Sequence, residues 1–139
     1  MAFVATAEDI VAVPLFGSLS DDQLAELATW FHVQNASDGV RLVGEGAHGY
    51  TFFILTEGTA TVTSDGESLA TLGPGDFFGE IAILGEGRRT ATVMSATPVK
   101  LLVMFGTEFR RLEAAHPDIA SRLTEAMQAR LAGNVPEPA

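Results

Sequence analysis

Between residues 31 and 105 the chain runs in short apolar stretches separated by glycine turns every eight to twelve residues. Tyr50 to Leu55 is dense in aromatic and aliphatic residues, and Gly58 to Ser64 alternates threonine with Ala60 and Val62. Ser64-Asp65-Gly66 then predicts a tight hairpin, because Asp-Gly tolerates the positive φ angles that such a turn demands. Leu69 to Leu72 returns from it. Asp38-Gly39, Gly44-Glu45-Gly46 and Gly49 mark earlier turns, and Gly73-Pro74-Gly75 forces a loop before Phe77-Phe78. Thr90 to Ala96 and Val99 to Phe105 complete the strands. Many short strands without a strand–helix–strand rhythm predict an antiparallel barrel or jelly roll.

On either side the apolar spacing becomes helical. Residues 7 to 13 predict a short helix closed by Pro14. Ser20-Asp21-Asp22-Gln23 reads as a helix start, with serine as cap, glutamine three residues on and acids in the first turn. Leu19 and Leu24 are placed to staple that start. Leu24, Leu27, Ala28 and Phe31 should face a core, and Trp30 ends the helix as a packing residue rather than a ligand-stacking one. Thr107 is the expected cap of a helix reaching Ala115, with Phe109 and Leu112 inward. His116-Pro117 breaks it and starts the next, proline being suited to a first helical position. Ile119, Leu123, Ala126 and Met127 form the apolar stripe of this last helix. Gly133-Asn134 stops it, and residues 133–139 are expected to be a loose tail.

The 139 residues suffice for one domain with a real core, and 47% are apolar. There is no cysteine, so disulfides and thiolate metal sites are excluded. With 18 acidic and 8 basic side chains the net charge is −10. Non-specific binding to nucleic acid or anionic membranes is therefore unexpected. No basic segment precedes an apolar run at the N-terminus, and no stretch reaches the ~18 apolar residues of a membrane helix. The expected location is cytoplasmic.

One stretch departs from plain structural patterning. In Phe78-Gly79-Glu80-Ile81-Ala82, glycine permits backbone angles closed to other residues and a close ligand approach. The amides of Glu80, Ile81 and Ala82 would be the free donors of a one-turn helix, a setting that attracts phosphate. Arg89 follows Glu80 by nine residues, so a glycine turn can return its guanidinium to the same point. Arginine is the side chain suited to a two-pronged grip on phosphate. Glu80 beside an anion makes sense only if the ligand also offers a neutral donor, such as a ribose hydroxyl. A nucleotide whose phosphate and ribose share one compact ring meets both demands.

The segment from Phe78-Gly79-Glu80-Ile81-Ala82 through Arg89-Thr90-Ala91-Thr92-Val93 strongly resembles the phosphate-binding cassette of cyclic nucleotide-binding domains. That family includes the catabolite activator protein and the regulatory subunits of protein kinase A. Gly39, Leu42, Glu45-Gly46, Phe53, Ile54 and Gly58 match its strand framework, and Gly73-Pro74-Gly75-Asp76-Phe77-Phe78 its approach to the cassette. Pattern and resemblance together predict an α+β fold: an eight-stranded antiparallel β-roll (jelly roll) flanked by N-terminal helices and two C-terminal helices. It occupies a single domain over residues 1–132.

The resemblance implies a sensor that binds a cyclic nucleotide, cAMP ahead of cGMP as the ligand, without catalysis and without metal or other cofactor. Phe78, Gly79, Glu80, Ile81, Ala82, Arg89, Thr90 and Ala91 would form its site, and Arg122, Met127 and Arg130 would be the lid contacts of the last helix. A hydroxyl such as that of Thr90 accompanies guanine preference in some eukaryotic members, while bacterial adenine binders carry one too. The histidines at 32, 48 and 116 fall in a strand, a loop and a helix break, which does not suit a metal enzyme of the cupin kind. No nucleophile turn of the Gly-x-Ser-x-Gly type occurs. The expected output is a homodimer contact, a separate effector, or a larger protein of which this is one domain. The alternative is the same fold as an interaction module with an unfilled pocket. Ala47, where the family commonly has aspartate, and Arg88, where proline is common, point that way.

Overall fold

The computed structural model describes residues 3–11, 13–43, 51–79 and 91–132. In chain order the elements are β1 (Phe3–Val4), α1 (Ala7–Ile10), a 3-10 turn (Pro14–Phe16), α2 (Asp21–Ala28), β2 (His32–Ala36) and β3 (Arg41–Val43). Then follow β4 (Thr51–Glu57), β5 (Ala60–Ser64), β6 (Glu67–Leu72), β7 (Phe77–Phe78), β8 (Thr92–Ser95) and β9 (Val99–Phe105). Two helices end the order, α3 (Gly106–Ala115) and α4 (Pro117–Ala132). One sheet has the order β1-β2-β9-β4-β7 and the other β3-β8-β5-β6, with every pairing antiparallel. This is the α+β roll with flanking helices.

Within the first sheet, β4 and β9 are buried on both faces, and that explains the dense apolar run at β4. Successive side chains on a strand point to opposite faces. Phe53 and Leu55 enter a cluster between the sheets with Val62, Leu72, Val93 and Leu101, whereas Phe52 and Ile54 enter a second cluster with the helices. On β9, Val99, Leu101 and Val103 face inward, while Leu102 and Met104 face the helices. A strand covered on both sides has no polar face to alternate with. The helical cluster is threaded by rings, Phe16 to Phe31 at 5.8 Å, Phe31 to Phe52 at 6.4 Å and Phe52 to Phe77 at 5.8 Å between centroids. Each large apolar side chain buried this way is worth about 1.5–3 kcal/mol.

Local signals hold where both partners are near in sequence. Ser20 N–H donates to Gln23 Oε1 at 3.0 Å and Gln23 N–H to Ser20 Oγ at 3.2 Å, the reciprocal cap expected for α2. Asp65 and Gly66 both have positive φ, 52° and 80°, between β5 and β6. Pro117 opens α4, and Ile119, Leu123 and Met127 are buried along it.

Four expectations are corrected. Among the described residues there are nine strands, because Phe3–Val4 pairs with β2 as an added edge strand. The first helix covers only Ala7–Ile10, and Pro14 starts the 3-10 turn instead of closing that helix. Trp30 lies past the end of α2, where Thr29 is the capping residue. Thr107 sits inside α3 and does not cap it; the cap position is Phe105, whose N–H donates to Glu108 Oε1 at 2.9 Å. The stop at Gly133-Asn134 and the tail 133–139 lie outside the described residues.

Two outcomes follow. Gly58, with φ +89°, faces the Pro98 carbonyl so closely that a Cβ would drive into it. Gly58→Ala should therefore cost about 2–4 kcal/mol in urea unfolding. Asp9 accepts from Thr6 N–H at 2.7 Å and lies 3.1 Å from Lys100 Nζ. The Thr6 backbone hydrogen bond, the largest effect, holds its carboxyl below the ordinary value; burial comes next and opposes it, and Lys100 adds to the lowering. A depressed folded pKa gives stability that is complete above the ordinary carboxylate range and is lost as pH falls through the folded value. Asp9→Asn should thus destabilise the protein at neutral pH and flatten its acid unfolding below about pH 4.

Candidate functional site

The chain enters the candidate segment from a rigid approach. Gly75 N–H donates to the Leu55 carbonyl at 2.7 Å, and Leu55 N–H to the Asp76 carbonyl at 2.8 Å. Gly73 N–H donates to Asp76 Oδ2 at 2.8 Å, so the Asp76 carboxylate closes the Gly73–Asp76 turn from inside. Gly75 has φ +95°, and a Cβ there would crowd the Pro14 ring at 3.1 Å. The turn is therefore pinned both to β4 and to the 3-10 turn.

β7 has only two residues, and they point to opposite layers. Phe77 joins the helical cluster through Phe52. Phe78 is fully buried in the roll and stacks on Phe53 with centroids 4.8 Å apart and planes 16° apart. Gly79 follows at φ +74°, a left-handed conformation that costs other residues strain. The chain is next described at Ala91, 1% exposed and in the same interior cluster as Phe78. Thus Phe78, on β7, and Ala91, just ahead of β8, flank the segment and are both anchored in the roll's core. Glu80, Ile81, Ala82, Arg89 and Thr90 lie outside the described residues.

The expected lid residues are placed elsewhere. Met127 is fully buried, but in the helical cluster rather than with Phe78 and Ala91. Arg122 donates to the Ser18 carbonyl at 2.9 Å. The side chain of Arg130 lies outside the described residues. Among the described residues no three His, Asp or Glu side chains converge as a metal would need. His32 instead meets Glu108 at 2.9 Å and His116 meets Glu26 at 3.2 Å; His48 lies outside the described residues. No described helix is long and apolar enough to cross a membrane. The contribution of Phe53, a residue the sequence offered only as framework, becomes visible through its ring contact with Phe78.

A family profile for the cyclic nucleotide-binding domain matches residues 33–116. A cyclic nucleotide-gated potassium channel of Rhizobium etli is 32% identical over 94% of this chain and 37% of its own length. A cAMP-dependent protein kinase regulatory subunit of Yarrowia lipolytica is 36% identical over 72% of this chain and 27% of its own. A cGMP-dependent protein kinase of Drosophila melanogaster is 32% identical over 73% and 14%. The chain thus spans about a third or less of these curated relatives. Among solved structures, the N-terminal domain of a transcriptional regulator from Streptomyces coelicolor superposes with a TM-score of 0.76 at 30% identity, covering 91% of this chain and 94% of that one.

The Phe53–Phe78 stack can be weighed by substitution. Phe53→Leu keeps most of the apolar bulk and should cost about 1 kcal/mol. Phe78→Ala empties the interior beside Gly79 and should cost about 3–5 kcal/mol in the same urea unfolding measurement.

Proposed function

Since this chain belongs to the cyclic nucleotide-binding domain family, we propose that it captures a 3′,5′-cyclic nucleotide as a regulatory signal and performs no chemistry on it. The observation that carries this reading is Gly79 at φ +74° directly after a locked Phe78. A left-handed glycine at a strand end takes a conformation closed to other residues and lets a ligand approach the backbone closely. In this reading the amides of Glu80, Ile81 and Ala82 and the Arg89 guanidinium hold the cyclic phosphate, with Thr90 adding a hydroxyl. Glu80 accepts from the ribose hydroxyl. Phe78 and Ala91 support the two ends of the segment from the core.

The proposed base is adenine. A relative that is 36% identical is the regulatory subunit of a cAMP-dependent kinase, and one that is 32% identical is a cGMP-dependent kinase. Thr90 suits either base. Capture is followed by closure of α4 over the ligand, for which Arg122, Met127 and Arg130 are the proposed contacts. Arg122 and Met127 reach it only if α4 first leaves the helical layer that now holds them. The signal then passes to a second copy, an effector protein or a further domain.

Each charge-assisted contact of Arg89 should be worth about 1.5–3 kcal/mol, so Arg89→Ala should weaken cAMP binding at least ~10-fold in calorimetry. Unchanged affinity would remove Arg89 from the site. A thermal-shift series separates the readings of the whole chain: at 100 times its dissociation constant a ligand stabilises by about 2.7 kcal/mol. The expected order is cAMP above cGMP, with AMP inactive. No shift with any of them would favour the interaction module with an unfilled pocket.

A further inference from the structure

The C-terminal helices meet the N-terminal layer through a small polar junction at the elbow between α3 and α4. Glu26 of α2 places Oε2 2.9 Å from Trp30 Nε1 and 3.2 Å from His116 Nε2. The Trp30 and His116 rings meet edge to face, with centroids 6.4 Å apart. Beyond the elbow, Asp118 Oδ2 accepts from Gln23 Nε2 at 3.1 Å, and Arg122 donates to the Ser18 carbonyl at 2.9 Å.

The two contacts at Glu26 differ in kind. Trp30 lies four residues along the same stretch of chain, so its bond survives a movement of the C-terminal helices. His116 belongs to the elbow itself. With its side chain 36% exposed and that of Glu26 39% exposed, the pair can part without stranding a buried charge. Glu26 keeps Trp30 and gains water.

We propose that Glu26 and His116 form a releasable clasp that holds the elbow against α2 and opposes movement of α4 towards the roll. This rests on the cyclic nucleotide reading, in which α4 closes over the captured ligand. Arg122 and Met127 are committed to the helical layer, so closure requires α4 to leave it. The clasp resists that departure from a position remote from the interior cluster that anchors Phe78 and Ala91. Trp30 is the chain's single tryptophan, and it loses an edge-on imidazole when the elbow moves. Its emission therefore reports the clasp directly.

The experiment compares the full chain with His116→Ser and Glu26→Ala, using tryptophan emission and calorimetry with cAMP and cGMP. Serine keeps a helix-capping residue ahead of α4 but is too short to reach Glu26. In the unsubstituted protein, saturating cAMP should shift the Trp30 emission. Both variants should bind cAMP about two- to fivefold more tightly, since an exposed pair no longer has to be broken. Equal or weaker affinity in both variants overturns the clasp. So does an emission that stays fixed while calorimetry shows saturation. Absence of calorimetric binding of either nucleotide to the unsubstituted protein overturns instead the functional reading, and the clasp's part in capture with it.

Discussion

The pairing of β4 with β9 is the constraint on which the rest of the structure depends. The two strands run antiparallel from Thr51↔Phe105 to Glu57↔Lys100, and both of their faces are covered. Their side chains therefore supply the roll interior and the helical cluster at once. β7 hangs from β4 through Phe53↔Phe78 and Ile54↔Phe77, so the start of the candidate segment is positioned from both cores together. A one-residue slip would set Phe78 opposite Phe52 or Ile54 and turn it away from the interior. The stack on Phe53 and the Asp76 turn make that slip costly.

The fold was legible wherever cause and effect lie close along the chain. Ser20 and Gln23, Asp65-Gly66 and His116-Pro117 each fix local geometry through backbone angles or a bond within one turn. Gly79 belongs with them, because a left-handed φ is a property of one residue. Two-residue strands carry no period, so Phe3–Val4 could not be read from its own pattern. At α3 the competition was between a hydroxyl at residue 107 and a carboxylate at 108, and the carboxylate reached back to Phe105 N–H. Length along the chain hid other contacts altogether. Lys100 meets Asp9 across 91 residues, and Ser95, buried at 2%, donates from Oγ to the Ser37 carbonyl across 58. The apolar stripe of α4 showed which face is buried without saying against which layer. In the structure that layer is the helical cluster, where Met127 is packed.

Charge poses a related question of scale. A chain of net charge −10 repels an anion at long range. Exposed charges farther apart than about 8–10 Å are largely screened at physiological salt, so that repulsion fades over the distances that separate most carboxylates from one pocket. Donors in direct contact are not screened in this way. The proposed capture therefore needs only a few amides and one guanidinium at short range, together with a backbone held so that they converge. On that proposal the net charge tunes encounter, while Phe78, Gly79 and Ala91 anchor the two ends of the segment that receives the ligand.

The last helix is held by two kinds of contact that do different work. Leu112, Ile119, Leu123 and Met127 are buried, and each contributes about 1.5–3 kcal/mol. That attraction is non-directional, so it keeps α3 and α4 on the sheet without choosing one position along it. The polar contacts of Gln23, Glu26 and the Ser18 carbonyl are exposed or half-exposed, and an exposed pair is worth at most about 1 kcal/mol. Hydrogen bonds and ion pairs nevertheless require particular distances, so these weak contacts select the position that the strong ones leave open. A helix held firmly but located loosely can be displaced by a ligand with a modest difference in affinity for its two positions. If the helix takes a second position as proposed, the contacts of His116, Asp118 and Arg122 with the N-terminal layer are the ones that distinguish the two.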